Sequence, residues 1–296
     1  MAIRSVYRYG IGHWCLKSMS YFKTLTRKLL RLFSGQSGTD SKANRNSHDL
    51  EIFEAYHRDY YSLPGWFIKG AAVLWDCLLS FQNQQAINGN FLEIGCWKRK
   101  SATCSTMFAA DDEYCVFSDR IILPELKDSL SQIRKTKNLF VEGLSSELAS
   151  NKQFAELGSN FRWIHIDGEH SGEAITQDLS LAHEMLGELG IISVDDVPSA
   201  AYPQLFYAVV EYLSKNPDLT MFACGHNKIY LCRKSAAPTY LHYIRDHLHS
   251  EMKRRDFDAT IWKSGRPGDL NSFGITNRQG NYDYRGPDWD PLKIEC

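Results

Sequence analysis

Two acidic motifs follow apolar segments in the middle of the chain. The first runs from Asp167 to His170 and reads Asp-Gly-Glu-His, and the second is the pair Asp195-Asp196. Carboxylate oxygens are hard ligands that suit Mg²⁺, Mn²⁺ or Ca²⁺, and a histidine beside them could take a proton from a hydroxyl group. The motifs therefore predict a metal site with His170 as its base. Helix caps and a structural histidine are the alternative interpretation.

A second candidate site is the turn from Glu93 to Ser101, which reads EIGCWKRKS. Gly95 has no side chain, so the backbone can approach a ligand closely at this point. Asp119 ends the next apolar segment, and an acid in that place suits a hydrogen bond to ribose hydroxyls. Together these residues predict an adenosine-type cofactor, with a tight turn beside a solvated carboxylate as the alternative.

The motifs need a scaffold that brings them together. Short apolar segments alternate with segments of helical periodicity, which is typical of βαβ units and a mostly parallel sheet. In such sheets ligands bind beyond the carboxyl ends of the strands, where the acids lie. We predict an α/β, Rossmann-like, doubly wound fold whose mostly parallel, seven-stranded sheet ends in a C-terminal antiparallel β-hairpin. The predicted strands are 91–95, 114–119, 138–143, 163–167, 190–196, 219–224 and 228–233, and the predicted helices are 67–81, 101–110, 125–136, 173–186 and 203–215.

Three segments within residues 63–234 resemble the class I S-adenosylmethionine-dependent methyltransferases. They are GNFLEIGCWKRKSA (89–102), FVEGLSSEL (140–148) with its Gly-x-Ser, and the long stretch from IHIDGEH to VDDV (164–197). The last is similar to the metal-dependent O-methyltransferases of the macrocin and cephalosporin-hydroxylase type. The resemblance implies O-methylation of a hydroxyl group on a small-molecule or glycosyl acceptor, with S-adenosyl-L-methionine as methyl donor and divalent-metal assistance.

The same resemblance implies roles for individual residues. His170 would be the general base, and Mg²⁺ or a similar ion would be bound by Asp167, Asp195 and Asp196. The implied cofactor-binding residues are Glu93, Gly95, Ser101, Asp119, Gly143, Ser145 and Asp167.

Two residues depart from the family pattern. Arg99 stands where a second glycine is usual, and Leu144 stands where an acid often lies near the adenine. Arg99 could crowd the methionine carboxylate of the cofactor or pair with it. A degenerate methyltransferase fold that acts as a binding module therefore stays open as an alternative. A nicotinamide-dependent oxidoreductase is another, although it leaves the three aspartates unexplained.

The ends of the chain differ from its middle. Residues 1–49 form a basic segment and a polar linker, 50–240 the predicted methyltransferase domain, and 241–296 an extension predicted to bind the acceptor. Residues 56–66 and 282–289 are the candidates for the acceptor pocket. The N-terminus is a candidate for peripheral membrane contact, with an organelle-targeting leader and a flanking helix as alternatives, and the domain is a candidate for homo-oligomer formation.

Composition narrows the classes of function. Lys and Arg number 34 against 35 for Asp and Glu, so the marked basic excess of a dedicated nucleic-acid binder is missing. The eight cysteines show no zinc-binding spacing and are expected to be free thiols. With no membrane-length apolar run and no signal peptide evident, the sequence predicts a cytoplasmic protein.

Overall fold

The computed structural model describes residues 50–134, 137–263 and 272–277. Within them lies one nine-stranded sheet of order β3-β2-β1-β4-β5-β7-β6-β9-β8. The strands are β1 (Asn90–Ile94), β2 (Cys115–Asp119), β3 (Asn138–Glu142), β4 (Phe161–Ile166), β5 (Leu186–Asp195), β6 (Leu219–Gly225), β7 (Lys228–Arg233), β8 (Ala259–Lys263) and β9 (Phe273–Asn277). The order reverses between β1 and β4, which is where an open α/β sheet forms its ligand crevice.

Strands β1 to β5 are parallel, as the alternating pattern predicts. Strand β7 is antiparallel to both β5 and β6, which confirms the predicted hairpin. The predicted number of seven strands is wrong, because β9 pairs in parallel with β6 and antiparallel with β8. Gly225 permits this addition, since a Cβ there would lie 2.3 Å from the backbone oxygen of Ile275. The sequence did not reveal these strands because both are five residues long and lie in a polar region without periodicity.

Helices cover both faces of the sheet. They are α1 (Lys69–Gln84), α2 (Lys100–Thr106), α3 (Pro124–Ile133), α4 (Lys152–Ala155), α5 (Gly172–Met185), α6 (Pro203–Lys215), α7 (Ala237–Tyr243) and α8 (His249–Arg254). Residues 50–55 are also helical and lead into a π-helical turn, Tyr56–Tyr60. A second π-helical turn, Ile244–Leu248, joins α7 to α8. The predicted helices within 67–215 are confirmed, whereas α7 and α8 were not predicted from the sequence.

Alternation along the strands divides the core into two layers. Phe91, Trp163 and Ile191 pack with α1 and α7 on one face, whereas their neighbours Leu92 and Ile164 pack with α5 and α6 on the other. Helix α1 is buried along most of its length, which explains its nearly continuous apolar sequence. The two layers leave the carboxyl ends of the strands uncovered.

Three further predictions concern membrane spans, the cysteines and the two ends of the chain. None of the described helices combines the length and the apolar character that crossing a membrane requires. The cysteines among the described residues are free thiols, as expected. The basic N-terminal segment, its linker and the aromatic tail at 282–289 lie outside the described residues.

Candidate functional site

A pocket of about 820 Å³ opens at the carboxyl ends of the parallel strands. Its volume falls within the usual range for small-molecule sites, roughly 300–1,000 Å³. Most of the residues predicted from sequence line it: Gly95, Asp119, Gly143, Ser145, Asp167, His170, Asp195 and Asp196. The structure therefore brings both acidic motifs and the glycine turn to one cavity. Glu93 and Ser101 are not among the lining residues.

The glycine turn is held by a close backbone contact at Gly95 and by hydrogen bonds to Asp119. Gly95 has a φ of +86°, and a Cβ at this position would lie 1.9 Å from the backbone oxygen of Asp167. Asp119 accepts hydrogen bonds from the backbone N–H groups of Cys96 and Trp97, both at 2.8 Å and both to Oδ2. Asp119 thus fixes the turn as well as facing the pocket.

Arg99 has a backbone conformation that favours glycine. Its φ is +69°, in the left-handed region that favours glycine, and it precedes the first residue of α2. The residue is not among those that line the pocket. The departure from the family pattern at this position is therefore accommodated as backbone strain, and the arginine does not fill the cavity.

Glu93 and Ser101 lie behind the turn. Glu93 is 2% exposed, and its Oε1 accepts a hydrogen bond from the Ser101 hydroxyl at 2.5 Å. Burial raises the pKa of Glu93 to about 8, and burial lowers the pKa of the neighbouring His165 to about 3. His165 Nδ1 lies 3.4 Å from Glu93 Oε1. These residues join β1 and β4 beneath the site, and direct cofactor binding by Glu93 and Ser101 stays a prediction.

His170 is held on two sides. Its Nε2 forms a hydrogen bond with Asp196 Oδ2 at 2.8 Å and lies 3.8 Å from Asp167 Oδ1. The imidazole also stacks on the ring of Tyr202, with centroids 4.2 Å apart. Asp196 in turn accepts a hydrogen bond from the Asn227 side-chain amide through Oδ1. The arrangement is a histidine oriented by a carboxylate, as in acid–base sites.

Asp195 binds a lysine, whereas Asp196 binds the histidine. Its Oδ2 accepts a hydrogen bond from the ammonium of Lys228, and its Oδ1 accepts one from the backbone N–H of Asp196 at 2.9 Å. Lys228 and Asn227 were not predicted from the sequence. They lie at the tip of the β6–β7 hairpin, and the register of β5 with β7 sets Asp195 opposite Lys228. The available signal was a hairpin tip rich in polar groups, reading Gly-His-Asn-Lys.

The ligand atoms fit a metal ion only in part. Two groups of side chains have ligand atoms within 4.8 Å of one another: His165 with Asp167 and Asp195, and Asp167 with His170 and Asp196. The three predicted aspartates do not form one such group among the described residues. Partial removal from water and then the nearby Asp195 carboxylate raise the pKa of Asp167, so a cation there would be favourable. Asp167, His170 and Asp196 are the group whose three members all line the pocket.

Comparison with known proteins finds one family match and several similar solved structures. Residues 92–197 match the family model described as a methyltransferase domain. Solved structures similar to the chain include the O-methyltransferase NovP, at 14% identity and a TM-score of 0.44, over 54% of this chain and 77% of that one. The TDP-rhamnose 3'-O-methyltransferase CalS11 of calicheamicin biosynthesis is 16% identical, with a TM-score of 0.43, over 69% of this chain and 98% of that one.

A third similar structure is the MycE methyltransferase of the mycinamycin biosynthetic pathway in complex with Mg and SAH. It is 13% identical, with a TM-score of 0.46, over 62% of this chain, which spans 54% of MycE. No curated protein sequence matches the chain. The family match begins within β1 and continues through β5, and it includes the glycine turn, Asp119, His170 and the acidic pair. The similarity to a known family therefore lies in residues 92–197, which match a methyltransferase domain.

Proposed function

We propose that the protein is an O-methyltransferase that acts on a hydroxyl group of a small-molecule or glycosyl acceptor, with His170 as the general base. The observation that carries the proposal is the 2.8 Å hydrogen bond between His170 Nε2 and Asp196 Oδ2 inside the pocket that also contains the Gly95 turn. A base oriented by a carboxylate is what deprotonation of a hydroxyl group needs.

In this proposal one set of pocket residues binds the cofactor and another transfers the proton. When bound, S-adenosylmethionine supplies an electrophilic methyl group on its sulfonium sulfur. Asp119, Gly143 and Ser145 line the cavity with the Gly95 turn and would hold this cofactor. The position of Asp119 at the end of β2 suits a ribose, because its Oδ1 is not used by the two hydrogen bonds to the turn.

His170 moves the proton. Because Nε2 is bonded to Asp196, Nδ1 is the nitrogen left to accept a proton from the acceptor hydroxyl. Asp196 then stabilises the imidazolium, and the carboxyl group of Asp167 lies next to the same nitrogen, with Oδ1 3.8 Å from Nε2. Asn227 fixes the orientation of Asp196 through its side-chain amide. The chain itself thus contains a complete base with its orienting group.

The residues at the wall of the pocket favour a polyhydroxylated compound as the acceptor. Trp66 and Trp97 are in contact, with ring centroids 4.6 Å apart, and Trp66 is 87% exposed although large aromatic side chains are usually mostly buried. Such rings offer flat apolar faces on which a sugar ring could pack. Glu169 and Gln177 line the same cavity and offer hydrogen-bonding groups. Trp66 belongs to segment 56–66, which is a candidate for the acceptor pocket from its sequence.

A divalent metal ion would be held by Asp167 and Asp196, beside His170. Bound there, such an ion would lower the pKa of a coordinated hydroxyl group. The residues fit this use because their ligand atoms converge and face the pocket.

Calorimetric titration of S-adenosylhomocysteine into the purified protein, with Mg²⁺ and with EDTA, tests the cofactor site, and NAD serves as the control ligand. We expect micromolar affinity for S-adenosylhomocysteine and no measurable binding of NAD. Transfer of labelled methyl groups to a panel of sugars and nucleotide sugars then tests the reaction, with His170→Gln as the matched variant. We expect this variant to retain its affinity for S-adenosylhomocysteine and to lose at least a hundredfold in turnover. Equal turnover by the variant and the wild type would reject His170 as the base.

A further inference from the structure

Lys228 is a buried cation at the edge of the candidate site. The residue is 2% exposed and begins β7, directly opposite Asp195 of β5 in the antiparallel register. Its ammonium lies 5.6 Å from the ring centroid of Phe67 and 5.8 Å from that of Trp75. Because an unpaired buried charge is costly, the ammonium needs a carboxylate. The carboxylate that the described residues supply is Asp195.

Both oxygens of Asp195 are thereby used. Oδ2 accepts a hydrogen bond from Lys228, and Oδ1 accepts from the backbone of Asp196 and, at 3.4 Å, from the side-chain amide of Asn227. Asp195 is also the most buried of the three aspartates, at 9% exposure. A metal ion coordinated by Asp195 would have to displace the ammonium or lie within a few ångströms of it, where like charges repel strongly.

The other two aspartates are arranged differently. The side chains of Asp167 and Asp196 are 31% and 20% exposed, and both place oxygens near His170 Nε2. Their carboxylates have no ion pair to a lysine or an arginine among the described residues. A divalent ion entering from the pocket therefore meets two carboxylates that no ammonium or guanidinium neutralises, and a third, Asp195, that Lys228 already neutralises.

We infer that Lys228 is the cation that neutralises Asp195 in place of a metal ion. In the predicted metal site, Asp195 binds a metal ion together with Asp167 and Asp196. Here the ammonium of Lys228 occupies that position beside Asp195, so any divalent ion in the pocket is held by Asp167 and Asp196 alone. Lys228 is thus a positioning residue, which fixes Asp195 and through it the backbone of Asp196. The inference concerns the same pocket as the proposed function, but metal binding can be measured without methyl transfer, so either can fail alone.

Titration of the full-length protein with Mn²⁺, followed by the electron paramagnetic resonance signal of the free ion, tests this inference. We expect Asp196→Asn to weaken Mn²⁺ binding at least tenfold and Asp195→Asn to change it less than twofold. Lys228→Met should strengthen binding at least tenfold, because it opens Asp195, and the double variant Lys228→Met/Asp195→Asn should lose that gain. Lys215→Met, which removes an exposed lysine on α6, is the control for net charge.

Two results would overturn the inference. One is a loss of Mn²⁺ affinity in Asp195→Asn as large as that in Asp196→Asn, and the other is unchanged Mn²⁺ affinity in Lys228→Met. Circular dichroism identifies any variant that fails to fold. If Lys228→Met does not fold, Lys228→Gln replaces it with a side chain that can still donate a hydrogen bond to Asp195, and the same gain in Mn²⁺ affinity is expected.

Discussion

The imidazole of His170 lies almost parallel to the phenol ring of Tyr202, with an angle of 18° between the ring planes and 4.2 Å between the centroids. Together with the hydrogen bond to Asp196, this stacking fixes the plane of the histidine as well as the direction of one nitrogen. Tyr202 immediately precedes α6, so the start of that helix sets the position of the candidate base.

Removal of the Tyr202 ring should therefore lower turnover without weakening cofactor binding. We expect Tyr202→Ala to reduce kcat about tenfold, which corresponds to roughly 1.4 kcal/mol in the activation free energy, and to leave the affinity for S-adenosylhomocysteine within twofold. Tyr202→Phe keeps the stacked ring and should retain most of the activity. Steady-state kinetics and calorimetry measure both effects. An equal loss in the two variants would show that the hydroxyl group, and not the stacking, is what matters.

Asp119 should control cofactor affinity. Asp119→Ala removes the acceptor for two backbone N–H groups of the glycine turn and the carboxylate offered to the ribose. We expect the Kd for S-adenosylhomocysteine to rise at least tenfold, since hydrogen bonds to charged groups contribute about 1.5–3 kcal/mol each. Asp112→Ala, at an exposed position before β2, is the control and should bind normally. Normal affinity in Asp119→Ala would exclude this carboxylate from the cofactor site.

Arg99→Gly should stabilise the protein. A side chain at positive φ costs about 1–2 kcal/mol, and the greater freedom of glycine in the unfolded chain offsets roughly 0.5–1 kcal/mol of the gain. We expect the free energy of unfolding to rise by up to about 1 kcal/mol, measured by denaturant titration, whereas Arg99→Ala keeps the strained backbone and should gain nothing. Because Arg99 does not line the pocket, both variants should bind S-adenosylhomocysteine within threefold of the wild type. A tenfold loss in both would instead indicate that Arg99 pairs with the cofactor carboxylate.

Glu93 should make the stability of the protein depend on pH. Burial raises its pKa from an ordinary value of 4.5 to about 8. Between these values the folded protein binds more protons than the unfolded chain, so this contribution to stability is complete below about pH 4.5 and is lost as the pH rises through 8. Glu93→Gln should remove the contribution, and its melting temperature should therefore rise relative to the wild type between pH 5 and pH 9. Thermal unfolding at a series of pH values measures the difference. Parallel curves for the two proteins would contradict the raised pKa.

Much of the scaffold follows from local pattern. The alternation of apolar segments with amphipathic ones determines β1 to β5 and their helices, because each segment must bury an apolar stripe or strand. The acids at the strand ends could also be assigned to one site from sequence, since the carboxyl ends of parallel strands meet at one edge of the sheet. Asp119, Asp167, Asp195 and Asp196 are predicted in this way, and they line one pocket together with His170.

Other features depend on contacts between residues that are distant along the chain. The pairing of Asp195 with Lys228 arises from the register of β5 with β7, which no local pattern specifies. The burial of Glu93 results from the packing of α1 and α2 on its side of the sheet, and the addition of β8 and β9 depends on the close approach that Gly225 allows.

The sequence by itself therefore determined the fold class, the edge of the sheet that carries the site and the identity of most of its side chains. The tertiary structure decided that Asp195 is paired with Lys228, whereas Asp167 and Asp196 lie beside His170. The physical reason is that periodicity records how each segment meets its own layer of the core, whereas the charge state and accessibility of a side chain depend on neighbours supplied by other strands and helices.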